Sequence, residues 1–283
     1  MKQLLKKWLP ILIGKQITLV FLFSPKKAHN MAFRLFCKPL KGKVTPEQQE
    51  FLDDAKDLVI LVNDLEIQTY RWGGDPNKET ILLVHGWDSN SHRWKTIIPT
   101  FLEHGYTIVA LDAPAQGNSS GKILNVPLYT ECLEAVIKKY QPDHIVGHSV
   151  GGMTTIYHQY KYPNPDIKKL VVLGPPSELK LIMQGFQETL QLSDRFMQSL
   201  DQFFKDRFGF NYHEFSIAAF AGSLKQEGLV IHDRLDRIAP FAASKAIHRN
   251  WDNSKLKATK GYGHSLYHED VNTAMLDFIK EEV

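Results

Sequence analysis

A chain of 283 residues with 43% hydrophobic and 23% charged content is ordinary for a soluble globular protein, and is long enough for one sizeable α/β domain with an inserted subdomain. Two cysteines, Cys37 and Cys132, are too few for a disulfide framework and form no Cys-x-x-Cys pair, which points to reduced thiols in a cytoplasmic compartment. The net charge of +3 conceals an asymmetry: residues 1–46 carry ten Lys/Arg and no Asp or Glu, whereas the remainder carries 24 basic against 31 acidic residues. A basic arm on an acidic body suits an anionic surface, and with no nucleic-acid motif beside it that surface is a membrane rather than a nucleic acid.

The arm opens with Lys2, Lys6 and Lys7 and continues into the apolar stretch Trp8 to Phe23. Pro10, Gly14, Lys15 and Gln16 interrupt that stretch, which argues against a span needing ~20 apolar residues. A signal peptide also fits the charged start, but Lys15 breaks the apolar region and Lys26-Lys27 crowd any cleavage position. Two readings stand: an amphipathic pair of helices packed on the domain, which is preferred, and an interfacial membrane helix, which would show a cleaner polar face.

Beyond the arm, residues 44–57 read as a loop and a short polar helix, with Thr45, Pro46 and Gln48 as its start signal. Leu65 to Trp72 alternates as a strand and is broken at residues 73–76. Thr80–Val84 is a buried strand ending at His85-Gly86-Trp87. His92–His104 reads as one helix that Pro99 kinks, and Tyr106–Leu111 is a strand ending at Asp112. A helix over Tyr129–Tyr140 precedes the strand Ile145-Val146, the turn Gly147-His148-Ser149-Val150-Gly151, and a helix from Met153 to Tyr160. The strand Lys169–Leu173 follows. Continuous apolar runs between amphipathic helices predict a mostly parallel sheet covered on both faces, with ligands at the carboxyl ends of its strands.

Residues 175–227 interrupt the alternation with a helical pattern holding eight of the 16 Phe residues; Ser193 and Gly209 mark the start and stop of one helix. Those aromatics serve either as the segment's own core or as the underside of a cap over a site, where they would favour an apolar substrate. The alternation then resumes: a strand at Leu229–Ile231, the run His232 to Pro240, a helix at Ser244–Trp251, a polar strand at Lys257–Lys260 and a closing helix at Val271–Ile279.

A strand, a Gly-flanked serine and a helix, in that order, form the setting of a nucleophile elbow. The turn strains the serine backbone, and Gly147 and Gly151 leave room for the close approach it requires. A serine hydroxyl is a poor nucleophile near neutral pH and needs a base and an orienting carboxylate. The order after an elbow is Ser, Asp, His, which here selects Ser149, Asp236 and His264. Asp236 is chosen by its spacing to Pro240; Asp233 is the reserve acid and more naturally caps the turn, and Asp112 holds its own loop. The N–H groups of Val150 and Trp87 are the natural oxyanion donors, and the Trp87 side chain is placed to wall an acyl pocket. His85 and His148 read as structural neighbours. His264 and His268 lie four apart but lack a zincin pattern, so no metal is expected.

Taken together, His85-Gly86-Trp87, Asp112 to Ser119, Gly147 to Gly152, Asp236 to Pro240 and Gly263-His264 resemble the α/β-hydrolase superfamily over residues ~60–283. The resemblance implies an α/β-hydrolase fold: eight strands, a mostly parallel central sheet with helices on both faces, and a helical cap after the sixth strand. It also implies acyl-enzyme hydrolysis without a cofactor. Two details depart from the family pattern: Pro-Ala-Gln-Gly stands where Pro-Gly-His-Gly is usual, and His232-Asp233 where Gly-Asp is usual.

The resulting expectation is an arm over 1–46, a core over 47–174 and 228–283, and a cap over 175–227. The chain would be a carboxylesterase or lipase-like enzyme acting on a small apolar acyl ester. Acyl transfer, hydrolysis of a thioester, amide or lactone, and a non-catalytic binding protein on the same fold are the alternatives. Residues 1–46 would supply peripheral contact with an anionic membrane.

Overall fold

The computed structural model describes residues 2–75 and 77–281; Pro76 of the expected strand breaker and the side chains of the first seven residues lie outside what is described. In chain order, α1 (Lys2–Phe23), α2 (Pro25–Phe36) and α3 (Pro46–Leu52) precede the strands β1 (Lys56–Val62), β2 (Leu65–Trp72) and β3 (Thr80–Val84). Then come α4 (Ile98–Glu103), β4 (Thr107–Leu111), α5 (Val126–Tyr140), β5 (His144–His148), α6 (Val150–Lys161) and β6 (Lys169–Leu173). Three helices follow, α7 (Leu179–Leu190), α8 (Asp194–Phe208) and α9 (Ile217–Ala221), and the chain ends with β7 (Glu227–Asp233), α10 (Phe241–Asn250), β8 (Ser254–Thr259) and α11 (Glu269–Lys280).

All eight strands join one sheet in the order β1-β2-β4-β3-β5-β6-β7-β8. β1 and β2 run antiparallel to their neighbours, and the other pairings are parallel. β4, β5 and β6 are buried at every residue and β3 at all but its first, as continuous apolar strands covered on both faces should be. The strand order reverses at β3, with β4 on one side and β5 on the other. A crevice is expected at the carboxyl ends there, which is where β5 delivers Ser149.

Two local features differ from the sequence expectation. β1 was not anticipated: its run Leu58-Val59-Ile60-Leu61-Val62 lacks alternation because it is an exposed edge, and it pairs back on β2 through Asn63-Asp64, with Asn63 at φ 52°. The single helix over 92–104 is instead a 3₁₀ turn at Ser91–Trp94 followed by α4. Asn90 caps the turn and Asp112 grips Ser91, so the chain is fixed there before a helix can run through, and Pro99 falls in the first turn of α4 rather than kinking its middle.

The chain divides into two compact units. Residues 39–177 and 217–283 make the α/β unit, which holds the whole sheet. Residues 1–38 and 178–216 make a helical unit. Within the latter, the His29 ring lies 5.7 Å from Phe21, 5.7 Å from Phe196 and 5.6 Å from Phe203, and Phe33 lies 5.9 Å from Phe203, Phe204 and Phe208. The aromatics of residues 178–216 are therefore core to the helices of the N-terminal arm. Gly14 lets α1 rest on the end of α7: a Cβ there would fall 1.8 Å from the Leu190 carbonyl oxygen. Ser193 caps α8 and Gly209 ends it at φ 82°.

In the α/β unit, Lys169 at the start of β6 is fully buried and donates to the carbonyls of Phe278 (2.9 Å), Ile279 (3.4 Å) and Glu281. It thus closes the carbonyl end of α11, where a cation also complements the helix dipole. Lys169→Met should lower unfolding free energy by roughly 1–3 kcal/mol, read from urea denaturation; a loss within error would mean that water replaces the ammonium freely.

Candidate active site

β5 becomes α6 within one residue, and that residue is Ser149. Its backbone sits at φ 54°, ψ −119°, a conformation strained for any L-residue. Hydrogen bonds hold it there: Ser149 N donates to Leu173 O (2.8 Å), and Met153 N donates to Ser149 O (3.0 Å). The flanking glycines are required by close approach. A Cβ on Gly151 would lie 2.2 Å from Val84 O, and one on Gly147 would lie 2.6 Å from Thr155 Oγ1.

Ser149 Oγ is 2.9 Å from His264 Nε2, and His264 Nδ1 is 2.7 Å from Asp236 Oδ2. The side chain of Asp236 is buried. Its other oxygen accepts from the N–H groups of Ile238 (2.7 Å) and Ala239 (3.0 Å). Burial opposes a charge on Asp236, but the His264 ring and those two N–H groups outweigh it and hold the carboxyl below its ordinary value. Asp233 is occupied otherwise: it accepts from Leu235 N (2.9 Å), Thr259 Oγ1 (2.8 Å) and Tyr262 N (2.8 Å), tying the end of β7 to the end of β8. The structure thus joins Asp236, not Asp233, to His264.

The other residues singled out from the sequence have clear places. Val150 is the first residue of α6, directly after Ser149. Trp87 follows Gly86, where an added Cβ would fall 2.9 Å from Ser149 Cβ. Asp112 receives Ser91 N and Oγ (both 2.8 Å), Asn118 N (2.8 Å) and Tyr70 OH (3.1 Å), so it binds its own loop to two others. His85 accepts from Ala113 N (2.9 Å) and donates to Gly86 O (2.8 Å). Gln116, where the family pattern has histidine, donates to Gly86 O (3.3 Å) and accepts from Ser89 N (3.2 Å), bracing the loop that carries Trp87. His268 stands apart from His264 in role: it caps α11 and stacks on Tyr262 at 3.8 Å.

Arg93 and His232 were not recognised from the sequence. Arg93 is buried and donates from Nη1 to His148 Nδ1 (2.9 Å) and from Nη2 to Ser265 O (3.1 Å). His148 Nε2 in turn donates to His264 O (2.9 Å). The guanidinium can only donate, so His148 must be neutral with its proton on Nε2. Burial, then the Arg93 charge, holds His148 well below the usual histidine range. Two backbone carbonyls beside the His264 ring are therefore anchored from below. His232 is fully buried: its Nδ1 is 2.6 Å from Ser244 Oγ, and its Nε2 is 3.0 Å from Ala239 O and 3.1 Å from Asp236 Oδ2. The departure from Gly-Asp at this strand end was the available signal for His232; nothing in the sequence marks Arg93.

The arrangement can transfer a proton from the Ser149 hydroxyl to His264 and stabilise the resulting imidazolium by Asp236. Residues 79–212 match the family model described as alpha/beta hydrolase fold. The chain has the α/β-hydrolase fold. Among similar α/β hydrolases, a bifunctional esterase/perhydrolase, DCH, of Acinetobacter calcoaceticus is 28% identical over 264 residues, 75% of this chain and 95% of that protein. The phospholipase YtpA of Bacillus subtilis (strain 168) is 28% identical over 113 residues, covering 38% of this chain and 44% of that protein. An esterase, EaEST, of Exiguobacterium antarcticum has a TM-score of 0.65 at 16% identity, over 80% of this chain and 100% of that one, a likeness of fold. Hydrolase activity is supported by these relatives.

His148 also sets a pH limit on stability. Its folded pKa lies below its unfolded value, so below about pH 6.5 the unfolded chain binds more protons than the folded one. Its contribution is fully present above that pH and is lost as pH falls. His148→Asn can keep the acceptor for Arg93 without titrating, at the cost of the bond to His264 O. Between pH 6.5 and 5 its unfolding free energy should fall less steeply than that of wild type, by up to ~1.4 kcal/mol per pH unit. Parallel urea curves for the two proteins across that range would refute this assignment.

Proposed function

We propose that this α/β hydrolase is a serine hydrolase that cleaves an apolar acyl ester through an acyl-enzyme on Ser149. The observation that carries the proposal is the continuous line from Ser149 Oγ to His264 Nε2 (2.9 Å) and from His264 Nδ1 to Asp236 Oδ2 (2.7 Å). Ser149 attacks the ester carbonyl as His264 takes its proton, and Asp236 stabilises the imidazolium. The N–H groups of Val150 and Trp87 receive the oxyanion. His264 then returns the proton to the departing alcohol, and a water activated by the same ring releases the acid. The esterase named among the relatives supports an ester as the substrate class.

A series of p-nitrophenyl esters from acetate to palmitate tests the reading. Ser149→Ala should reduce turnover about a millionfold and abolish labelling by a fluorophosphonate probe. Asp236→Asn should cost on the order of 10³–10⁴ in kcat, whereas Asp233→Asn should leave kcat near wild type and lower stability. Full ester turnover by Ser149→Ala would overturn the proposal.

His232 is a positioning residue in this scheme, since it reaches the reacting atoms through Asp236. His232→Phe should lower kcat/KM by roughly tenfold, the equivalent of one hydrogen bond to a charged group, and should shift the acid limb of the pH–rate profile. An unchanged profile in a stably folded variant would reduce His232 to packing.

A further inference from the structure

We infer that α1 is an in-plane membrane anchor whose outward face docks on an anionic lipid surface. The inference concerns the helical unit alone and does not depend on whether Ser149 reacts. Gly14 and Ile17 of α1 are buried, and Gly14 packs on the Leu190 carbonyl. The opposite face carries Trp8, Leu12, Leu19 and Leu22, spaced by four, seven and three residues and therefore in line along the helix. Leu9 and Phe23 flank that line. These six side chains are 53% to 83% exposed. Scattered exposed leucines need no explanation, but six large apolar groups gathered on one helix face, parted by Lys15 and Gln16, form a patch, and such patches mark an interaction surface.

The charge pattern identifies the occupant. Residues 1–38 hold eight Lys/Arg and no acidic residue, and the helical unit as a whole holds twelve Lys/Arg against six Asp/Glu. The α/β unit is acidic, with 22 basic against 25 acidic residues. Two copies packed through α1 would oppose the four lysines of one helix to the four of the other, with no acid on either. Nucleic acid would match the charge but not the apolar stripe. An anionic bilayer surface matches both: acyl chains receive Trp8 and the leucines, and headgroups receive the ammonium groups. Lys26 and Lys27 are exposed just beyond the helix end, and the sequence places Lys2, Lys6 and Lys7 at its start. Lys15 interrupts the stripe but has a stem long enough to lift its charge to the headgroups. No described helix is long and apolar enough to cross a membrane, so the helix would lie along the surface.

Flotation of the full chain with liposomes of phosphatidylcholine, alone or with a third phosphatidylserine, tests this. Wild type should float with the phosphatidylserine liposomes and detach as salt is raised. The Leu12→Glu, Leu19→Glu, Leu22→Glu variant should lose about tenfold or more in partitioning to both compositions. A Lys15→Glu, Lys26→Glu, Lys27→Glu variant should lose it on the anionic liposomes alone. All six sites are exposed, so thermal melting and hydrolysis of a water-soluble ester should match wild type in both variants. Failure of wild type to float, or equal flotation of the leucine variant, would overturn the inference. So would a wild-type dimer that the leucine variant breaks without any liposome binding, which would identify a second copy as the occupant. Flotation by Ser149→Ala, with esterase activity absent, separates this inference from the catalytic one.

Discussion

The conformation of Ser149 is the constraint on which the α/β unit turns. A residue held at φ 54°, ψ −119° is strained by about 1–3 kcal/mol and persists only where its surroundings over-determine it. Here they do. β5 is hydrogen-bonded to strands on both sides, Ser149 N is fixed to Leu173 O, and α6 starts so close to β3 that Gly151 can carry no Cβ. Strand pairing and helix packing together leave the chain one way to pass from β5 to α6. That path presents the hydroxyl at the carboxyl edge of the sheet, beside the reversal of strand order.

A hydroxyl placed this way is met by His264, which lies on a loop rather than on a strand or helix and must be held as firmly. The structure meets that need with buried neutral histidines. His148 occupies the position just before Ser149 and joins it to the His264 loop, with Arg93 forcing it to keep its acceptor on Nδ1. His85 does the same for the loop at Ala113, and His232 for the turn that carries Asp236. Burial lowers the pKa of all three, so each remains an uncharged, directional linker near neutral pH. Loops that no regular hydrogen-bond ladder supports are thereby fixed to within a hydrogen bond of one another.

This division explains what could be read from the sequence. Ser149, Asp236 and His264 were legible because their spacing to glycine and proline reports backbone geometry, which is local. The central strands were legible because burial on both faces leaves continuous apolar runs. β1 was missed because its apolar run at 58–62 lacks the alternation that marks an exposed strand; the Asn63-Asp64 turn was its clearest local mark. Arg93 was missed because its role exists only in three dimensions: a lone arginine in a 3₁₀ turn, 55 positions from His148, has no pattern. Gln116 and His232 were visible as departures from the family pattern. Their function as linkers became visible only with their partners.

The N-terminal helix shows the limit of hydropathy more sharply. An interfacial helix is recognised by one apolar and one polar face, and α1 lacks a polar face, which favoured reading it as a helix packed on the protein. The structure shows that both readings draw on the same residues. One face of α1 is apolar because it is core to the helical unit, where Phe21 meets Phe196 and Gly14 meets Leu190. The other is apolar and open. A helix that serves two apolar environments has no polar stripe to detect, and its periodicity cancels along the sequence. What remains legible is charge: the cations gather at the two ends of the apolar stretch, Lys2, Lys6 and Lys7 in the first turns of α1 and Lys26 and Lys27 beyond its end, with Lys15 alone between them.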